Sequence, residues 1–327
     1  MPKTRLPITR RRFIAASIAA ASLGGKSAFA QSPQPIRFIV GAAAGGAIDI
    51  YARIVAEHMT RTLGRQIVLE SRPGAGGTIA TQWVKDQPAD GSTIWLGTMA
   101  MTEINPYTFS NQRWSVSDFT PLIKGVDSPL AFVVHPSVPA KTIKEFVAWV
   151  KANPGKLSFA SYSVGTPSHF LGVQMNDVFG LDMGHLPYRG SGPQIVDLVA
   201  GHAQFGFTQI AGSAPHIAAG KLRALATTGE KRAFQLPDAP TFAELGHPEL
   251  NTSIWFGLLV RKETPPDVQV RLLAAARAAH ADPAVQALLR KQGFEVSGQT
   301  GEAFKRSIAE GAERWKRLID KTGFKVN

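Results

Sequence analysis

The chain has 327 residues, 44% of them hydrophobic, a formal net charge of +12 and no cysteine. The missing cysteines exclude disulfides, thiolate nucleophiles and Cys-ligated metals. Residues 1–30 hold six basic and no acidic side chain, so setting them aside halves the charge to +6; the remaining Lys and Arg are scattered among acids, without the basic stripe and interleaved aromatics that nucleic acid requires.

Residues 1–30 have the three parts of an export signal in order. A basic start (Lys3, Arg5, Arg10, Arg11 and Arg12) runs into an Ala-rich apolar stretch from Phe13 to Leu23. Ala28-Phe29-Ala30 then supplies a small-x-small site, with cleavage expected after Ala30. Thr9-Arg10-Arg11-Arg12-Phe13-Ile14, with Lys26 near the cleavage site, resembles the twin-arginine export motif; an ordinary secretory signal with a rich basic region is the alternative. The apolar stretch falls short of the roughly 20 residues that cross a bilayer, so no anchor is expected.

From residue 31 onward, short β-branched or apolar runs alternate with amphipathic helical stretches, the pattern of α/β lobes with largely parallel sheets. Ile36–Val40 is the first predicted strand, Gly41–Ala47 a loop of small residues, and about Ile48–Leu63 a helix stopped by Gly64. Further strands are predicted at Gln66–Glu70, Thr93–Gly97, Ala131–Val134, Leu157–Ser161, Phe205–Thr208 and Leu222–Thr227. Helices are predicted near Ile143–Ala152, Ser168–Phe179, Pro193–Ala200, Asp267–His280, Pro283–Gln292 and Ala303–Lys321. Asp127-Ser128-Pro129 and Asn251-Thr252-Ser253 are polar segments leading into the apolar runs Leu130–Val134 and Ile254–Val260, and they are expected to be crossings between two lobes. The first lobe then comprises residues 31–128 and a return segment 253–327, the second residues 129–252, with a ligand cleft where strand-end loops converge.

The loop Gly41-Ala42-Ala43-Ala44-Gly45-Gly46-Ala47-Ile48-Asp49 joins a strand to a helix with almost no side-chain bulk, so its amides approach a ligand closely at a helix end that favours anions. Its spacing is neither the dinucleotide fingerprint nor the phosphate loop, which ends in Gly-Lys-Ser/Thr. A tight turn with Asp49 as a first-turn dipole partner is the other reading. In Ser161-Tyr162-Ser163-Val164-Gly165-Thr166-Pro167-Ser168-His169, Thr166 is the predicted N-cap of a helix opened by Pro167, with the Ser168 and His169 amides pointing forward. Two opposed helix N-termini, one per lobe, would clamp a carboxylate with hydroxyls and N–H groups. His169 is a ligand contact or a packed histidine. Neither Gly-x-Ser-x-Gly nor a metal-ligand His pair is present, so no catalysis, metal or cofactor is expected. Ser71-Arg72-Pro73-Gly74-Ala75-Gly76-Gly77 lacks the lysine of a phosphate cradle and reads as a sharp turn into a helix, with Arg72 tethering neighbouring backbone.

Taken in order, these segments resemble the Bug family of periplasmic receptors, the solute-binding components of tripartite tricarboxylate transporters, over essentially the whole chain beyond the signal. The resemblance runs through the loop ending in Gly45-Gly46 and Asp49, Arg72-Pro73-Gly74-Ala75-Gly76-Gly77, Asp90-Gly91 and Ile104-Asn105-Pro106. It continues in His135-Pro136-Ser137-Val138-Pro139-Ala140-Lys141-Thr142, Asn153-Pro154-Gly155-Lys156-Leu157 and Pro187-Tyr188-Arg189-Gly190. Gly220-Lys221-Leu222-Arg223-Ala224-Leu225-Ala226, Leu236-Pro237-Asp238-Ala239-Pro240-Thr241 and Trp255-Phe256-Gly257-Leu258-Leu259 complete it.

The resemblance implies an α/β, type II periplasmic-binding-protein fold, two lobes with mixed, mostly parallel sheets that close on a ligand carboxylate, partly through water. It implies first-lobe contacts from Gly45, Gly46 and Asp49, second-lobe contacts from Ser161, Gly165, Thr166, Ser168 and His169, and a cleft-lining Tyr188. Thr208 stands where amino-acid-binding members tend to have an aspartate for the ammonium group, so an amine-free ligand is expected: a di- or tricarboxylate or an aromatic acid. Gly41-Ala42-Ala43 replaces the usual Pro-Phe-Pro and Ala47-Ile48 the common Gly-Thr, which removes a loop hydroxyl. Thr102-Glu103 replaces a usual His-Ala, with Glu103 expected as a solvated surface acid or, near the cleft, as a group that repels a second carboxylate or binds a cation. The implied setting is the periplasm, as a monomer that hands its ligand to membrane permease subunits or, in a sensing role, to a histidine-kinase ectodomain. A periplasmic enzyme is the rival class, favoured mildly by the twin-arginine motif and supported by no cofactor signature.

Overall fold

β1 (Ile36–Val40) is an apolar run buried from Phe38 to Val40, which places it inside a sheet rather than at an edge; it pairs in parallel with β2 (Ile67–Ser71) and β3 (Thr93–Thr98). The computed structural model describes residues 34–110 and 112–325, which beyond Gln34 belong to one unit, Pro35–Asn327; the export signal and its cleavage site lie outside the described residues. Helix α1 (Ala47–Leu63) joins β1 to β2, buries Ile48, Tyr51, Ala52, Val55 and Met59 at helical spacing, and ends at Gly64 in the left-handed region, φ 60°. α2 (Thr78–Lys85) leads to β3, after which come a π-helical turn, Ala100–Ile104, and the short helix α3 (Asn105–Thr108).

β4 (Phe119–Val134) opens the second half of the fold. Then follow α4 (Ile143–Lys151), capped by the Thr142 hydroxyl, β5 (Ser158–Ser161), α5 (Pro167–Phe179), β6 (Gly184–Pro187), α6 (Ser191–Ala200), β7 (Phe205–Gln209), α7 (Ile210–Ala218) and β8 (Arg223–Thr227). β9 (Ser253–Arg261), α8 (Pro266–Ala281), α9 (Pro283–Lys291), β10 (Glu295–Thr300) and α10 (Gly301–Thr322) complete the described chain.

The strand order is β2-β1-β3-β9-β4-β7-β5-β6, with β10 and β8 also paired to β4. β4 joins two sheets: its residues from Phe119 to Pro129 pair antiparallel with β9, and those from Leu130 to Val134 pair antiparallel with β7. The pairing partner changes between Pro129 and Leu130, and Ser253 lies opposite Pro129. Parallel pairing, expected from the βα alternation, holds among the outer strands, β1 with β2 and β3, and β5 with β6 and β7. Strands β4 and β9 run back antiparallel through the middle, so the architecture is a mixed α/β fold.

Only Leu130–Val134 of β4 is expected from the sequence. The strand absorbs Pro121 and Gly125 at register shifts, between Pro121 and Ile123 and between Lys124 and Val126. β6, β10 and α7 were not expected either: β6 has four residues, β10 is polar and half-exposed, and α7 carries Pro215 inside it. One hydrophobic core holds two aromatic groups. Phe132, Phe146, Phe205 and Phe207 meet tilted or edge-on with centroids 4.8–6.3 Å apart, and Tyr51, Phe256 and Phe294 meet at 5.8–6.1 Å. Each such buried ring contributes about 1.5–3 kcal/mol.

Candidate ligand cleft

The chain segments that follow β1, β3, β5 and β6 converge with the end of β7 and the start of β9 around a cleft that is partly open to solvent. Strand ends are where an open α/β sheet leaves room for a ligand. One wall comes from the first sheet and is mostly apolar: Ile48, Met99, Met101, Ile254, Trp255 and Phe256. Met101 is seated by two glycines. A Cβ on Gly41 would stand 2.0 Å from its terminal methyl, and one on Gly77 would stand 2.1 Å away.

The opposite wall comes from the second sheet and is polar, with Tyr162, Ser163, Thr166, Arg189, Ser191 and Gln209. The two walls touch at a rim. The Ala43 amide donates to the Arg189 carbonyl at 3.1 Å, and the Ala47 amide donates to Ser191 Oγ at 3.2 Å. Ser191 Oγ in turn donates to Gln209 Oε1 at 2.7 Å. A Cβ on Gly46 would lie 2.6 Å from that Ser191 oxygen, and one on Gly190 would lie 3.1 Å from the Ala43 nitrogen. Both glycines therefore serve the close approach of two backbones.

The expected site residues divide sharply by position. Thr166 lines the cleft; Gly45, Gly46, Asp49, Ser161, Gly165, Ser168, His169, Tyr188 and Thr208 do not. Asp49 is buried and accepts from the Gly45 amide at 3.2 Å and from Arg53 through two nitrogens at 3.0 and 3.2 Å, so it staples its own loop and helix. Thr166 does occupy the N-cap of α5 with Pro167 next, but its hydroxyl donates back to the Ser163 carbonyl at 2.6 Å. The His169 amide turns back to the Thr166 carbonyl at 2.9 Å. At the same helix end the Tyr162 amide donates to Ser168 Oγ at 3.2 Å, and Ser168 Oγ lies 3.0 Å from the Thr166 hydroxyl. Burial raises the pKa of the Tyr162 phenol, so the ring stays neutral.

Behind this wall sit two stacked histidines. The rings of His169 and His185 are 4.0 Å apart and 17° from parallel. His169 Nδ1 accepts from the Gly165 amide at 3.3 Å, and His185 Nε2 lies 2.6 Å from Ser161 Oγ. Burial drives both pKa values down, to about 3 for His169, with His185 adding to the effect, and to about 4 for His185. Both rings are neutral. Tyr188 donates to Asp197 at 2.8 Å, away from the cleft, and Thr208 is buried on β7 opposite Ala131.

Glu103 is the largest correction to the sequence reading. It is 1% exposed rather than solvated, accepts from the Trp255 indole N–H at 2.6 Å, and packs against Gly311 of α10, where any Cβ would collide with it. Desolvation pushes its pKa up to about 8, against the opposing pull of Trp255 and Arg314. The acid thus stands behind the apolar wall and fixes one of its rings.

Arg189, Ser191, Gln209 and Tyr162 escaped the sequence reading. The signal was present in Gly190-Ser191-Gly192, a small-residue strand-to-helix loop like the first, and in neighbours: Gln209 follows Thr208, Tyr162 follows Ser161, and Arg189 follows Tyr188.

The profile of the tripartite tricarboxylate transporter family receptors matches residues 51–324. Protein BugT of Bordetella pertussis is 31% identical over 334 residues, covering 100% of both chains. Among solved structures, R. palustris Rpa4515 with adipate is similar with a TM-score of 0.86 and 26% identity, covering 90% of this chain and 99% of that one. MatC of Rhodopseudomonas palustris with bound malate is similar with a TM-score of 0.83 and 27% identity, covering 88% and 99%. The chain belongs to the Bug family of tripartite tricarboxylate transporter receptors.

Proposed function

We propose that this protein is a periplasmic receptor that captures a small carboxylate by closing two lobes around it and delivers it to the membrane subunits of a tripartite transporter. The observation that carries this reading is the rim, where Ala43 and Ala47 meet Arg189 and Ser191 over a cleft whose lining residues include Ser163, Thr166 and Arg189. Such a lining suits an anion: an arginine and a serine hydroxyl bond a carboxylate without a metal or a nucleophile, while the Thr166 and Ser191 protons already go to the Ser163 carbonyl and Gln209. The adipate and malate held by two relatives support the same ligand class. The lobes are residues 31–128 with 253–327, and 129–252, on the ground that β4 passes from one sheet to the other after Pro129 and that β9 begins in the first sheet at Ser253.

The test is calorimetry on exported, purified protein with a panel of mono-, di- and tricarboxylic acids and amino acids, beside melting curves. Saturable binding of an acid, with a raised melting temperature and no product, is expected; indifference to every carboxylate would remove the reading. Replacing Arg10 and Arg11 by Lys is expected to leave unprocessed precursor inside the cell. Normal processed periplasmic protein from that variant would assign export to the secretory route.

A further inference from the structure

We infer that the cleft selects an acid with one carboxylate on an apolar, ring-sized body, and discriminates against dicarboxylates. The inference rests on the carboxylate-receptor reading above and sharpens it.

The cleft is two-faced. Its only charged lining residue among those described is Arg189, and Arg189, Ser163, Thr166 and Gln209 all belong to the polar wall. The facing wall offers Met99, Met101, Trp255 and Phe256. Thr98 is the hydroxyl on that side; it accepts from the Met101 amide at 3.3 Å and keeps one proton to donate, without a charge. The Trp255 indole N–H is also spent, because it donates to Glu103, so the ring presents carbon rather than a donor.

A ligand's carboxylate therefore meets an arginine on one side only. A second carboxylate pointing to the other wall would lose its hydration against methionine and tryptophan, with one neutral hydroxyl and no cation to replace the water. A flat or bulky hydrocarbon body meets the opposite situation: thioethers adapt to ring edges and give favourable sulfur–aromatic contacts. Met99 and Trp255 are thus specificity residues, and Arg189 the carboxylate partner.

The experiment compares benzoate, cyclohexanecarboxylate and hexanoate with succinate and adipate by calorimetry on the purified protein. The monocarboxylates with an apolar body are expected to bind at least about tenfold more tightly than either dicarboxylate. Met99→Gln should weaken benzoate, whereas Met99→Lys, which adds a cation to the bare wall, should raise adipate affinity by about tenfold, each in protein whose unliganded melting is normal. Adipate or succinate binding as tightly as benzoate to the wild type, or Met99→Lys leaving adipate unchanged, would overturn the selectivity while leaving the carboxylate reading intact. Binding of no acid at all would bring down that reading and this inference with it.

Discussion

The two walls of the cleft are built by opposite means. On the first-sheet side, shape is set by absence: Gly41 and Gly77 leave room for Met101, and Glu103 is tucked behind Trp255 in a space kept by Gly311. On the second-sheet side, shape is set by hydrogen bonds: Thr166 to Ser163, Tyr162 to Ser168, and Ser161 to His185. Each wall nevertheless hides a titratable group held neutral by burial, an acid on one side and two bases on the other. The lesson is that a cleft can keep a single formal charge at its surface while storing ionisable groups one layer back.

The strongest break of this contrast is Gly190→Val. Gly190 has φ 134° and ψ 167°, a conformation essentially reserved for glycine, and its Cβ would press on the Ala43 nitrogen. Loss of about 2–3 kcal/mol of stability is expected, with affinity for any acid ligand falling at least about a hundredfold. Calorimetry beside denaturant melts checks both; an intact rim function in this variant would separate the rim from binding.

Next in size is the response to pH, where the two walls carry opposite signs. Unfolded histidine takes a proton near 6.5, but folded His169 and His185 refuse it until about pH 3 and 4, so their contribution is complete above pH 6.5 and lost as pH falls toward 3. Glu103 runs the other way. Its unfolded form ionises near 4.5 and its folded form near 8, so its contribution is complete below 4.5 and lost as pH rises toward 8. Melting temperature against pH should show both limbs. Glu103→Gln should flatten the alkaline limb alone; identical slopes in wild type and variant between about pH 5 and 8 would mean that Glu103 does not titrate there.

How much of this was legible in the sequence depends on the scale. The segments were found: the loop after β1, the turn into α5, the stretch around Tyr188 and the strand ending at Thr208 all border the cleft. The residues that line the cleft are in three cases the next along the chain, Gln209 after Thr208, Tyr162 after Ser161 and Arg189 after Tyr188. On β7, neighbours point to opposite faces, so the step from Gln209 to Thr208 moves a side chain from the cleft to the core. The long strand β4 was hidden by its prolines, and the burial of Glu103 depends on Trp255 and Gly311, more than 150 and 200 residues away, contacts that no local pattern reports.

Two smaller substitutions sharpen the comparison. Ser161→Ala leaves His185 buried without its 2.6 Å partner, and should lower stability by about 1–3 kcal/mol. Because Ser161 does not line the cleft, affinity should hold; a large loss of binding in a folded variant would place that oxygen at the ligand. Gly46→Ala sets a methyl 2.6 Å from Ser191 Oγ on the opposite side of the rim. About a tenfold drop in affinity is expected with little change in unliganded melting. Unaltered affinity would show that the rim yields by a few tenths of an ångström without consequence.

The path of β9 also fixes a timetable. β3 presents its free edge to β9 and to no nearer strand in sequence, yet β9 emerges roughly 150 residues later, a separation that makes such pairing slow. The second sheet has all its strands once residue 227 has been made, whereas the first must hold the run Trp95–Thr98 unpaired on that edge until residues 256–259 arrive. An unpaired apolar edge of this kind invites other chains. Synthesis therefore contains an interval in which half of the molecule is finished and the other half is adhesive, and it ends only when β9 slots between β3 and β4.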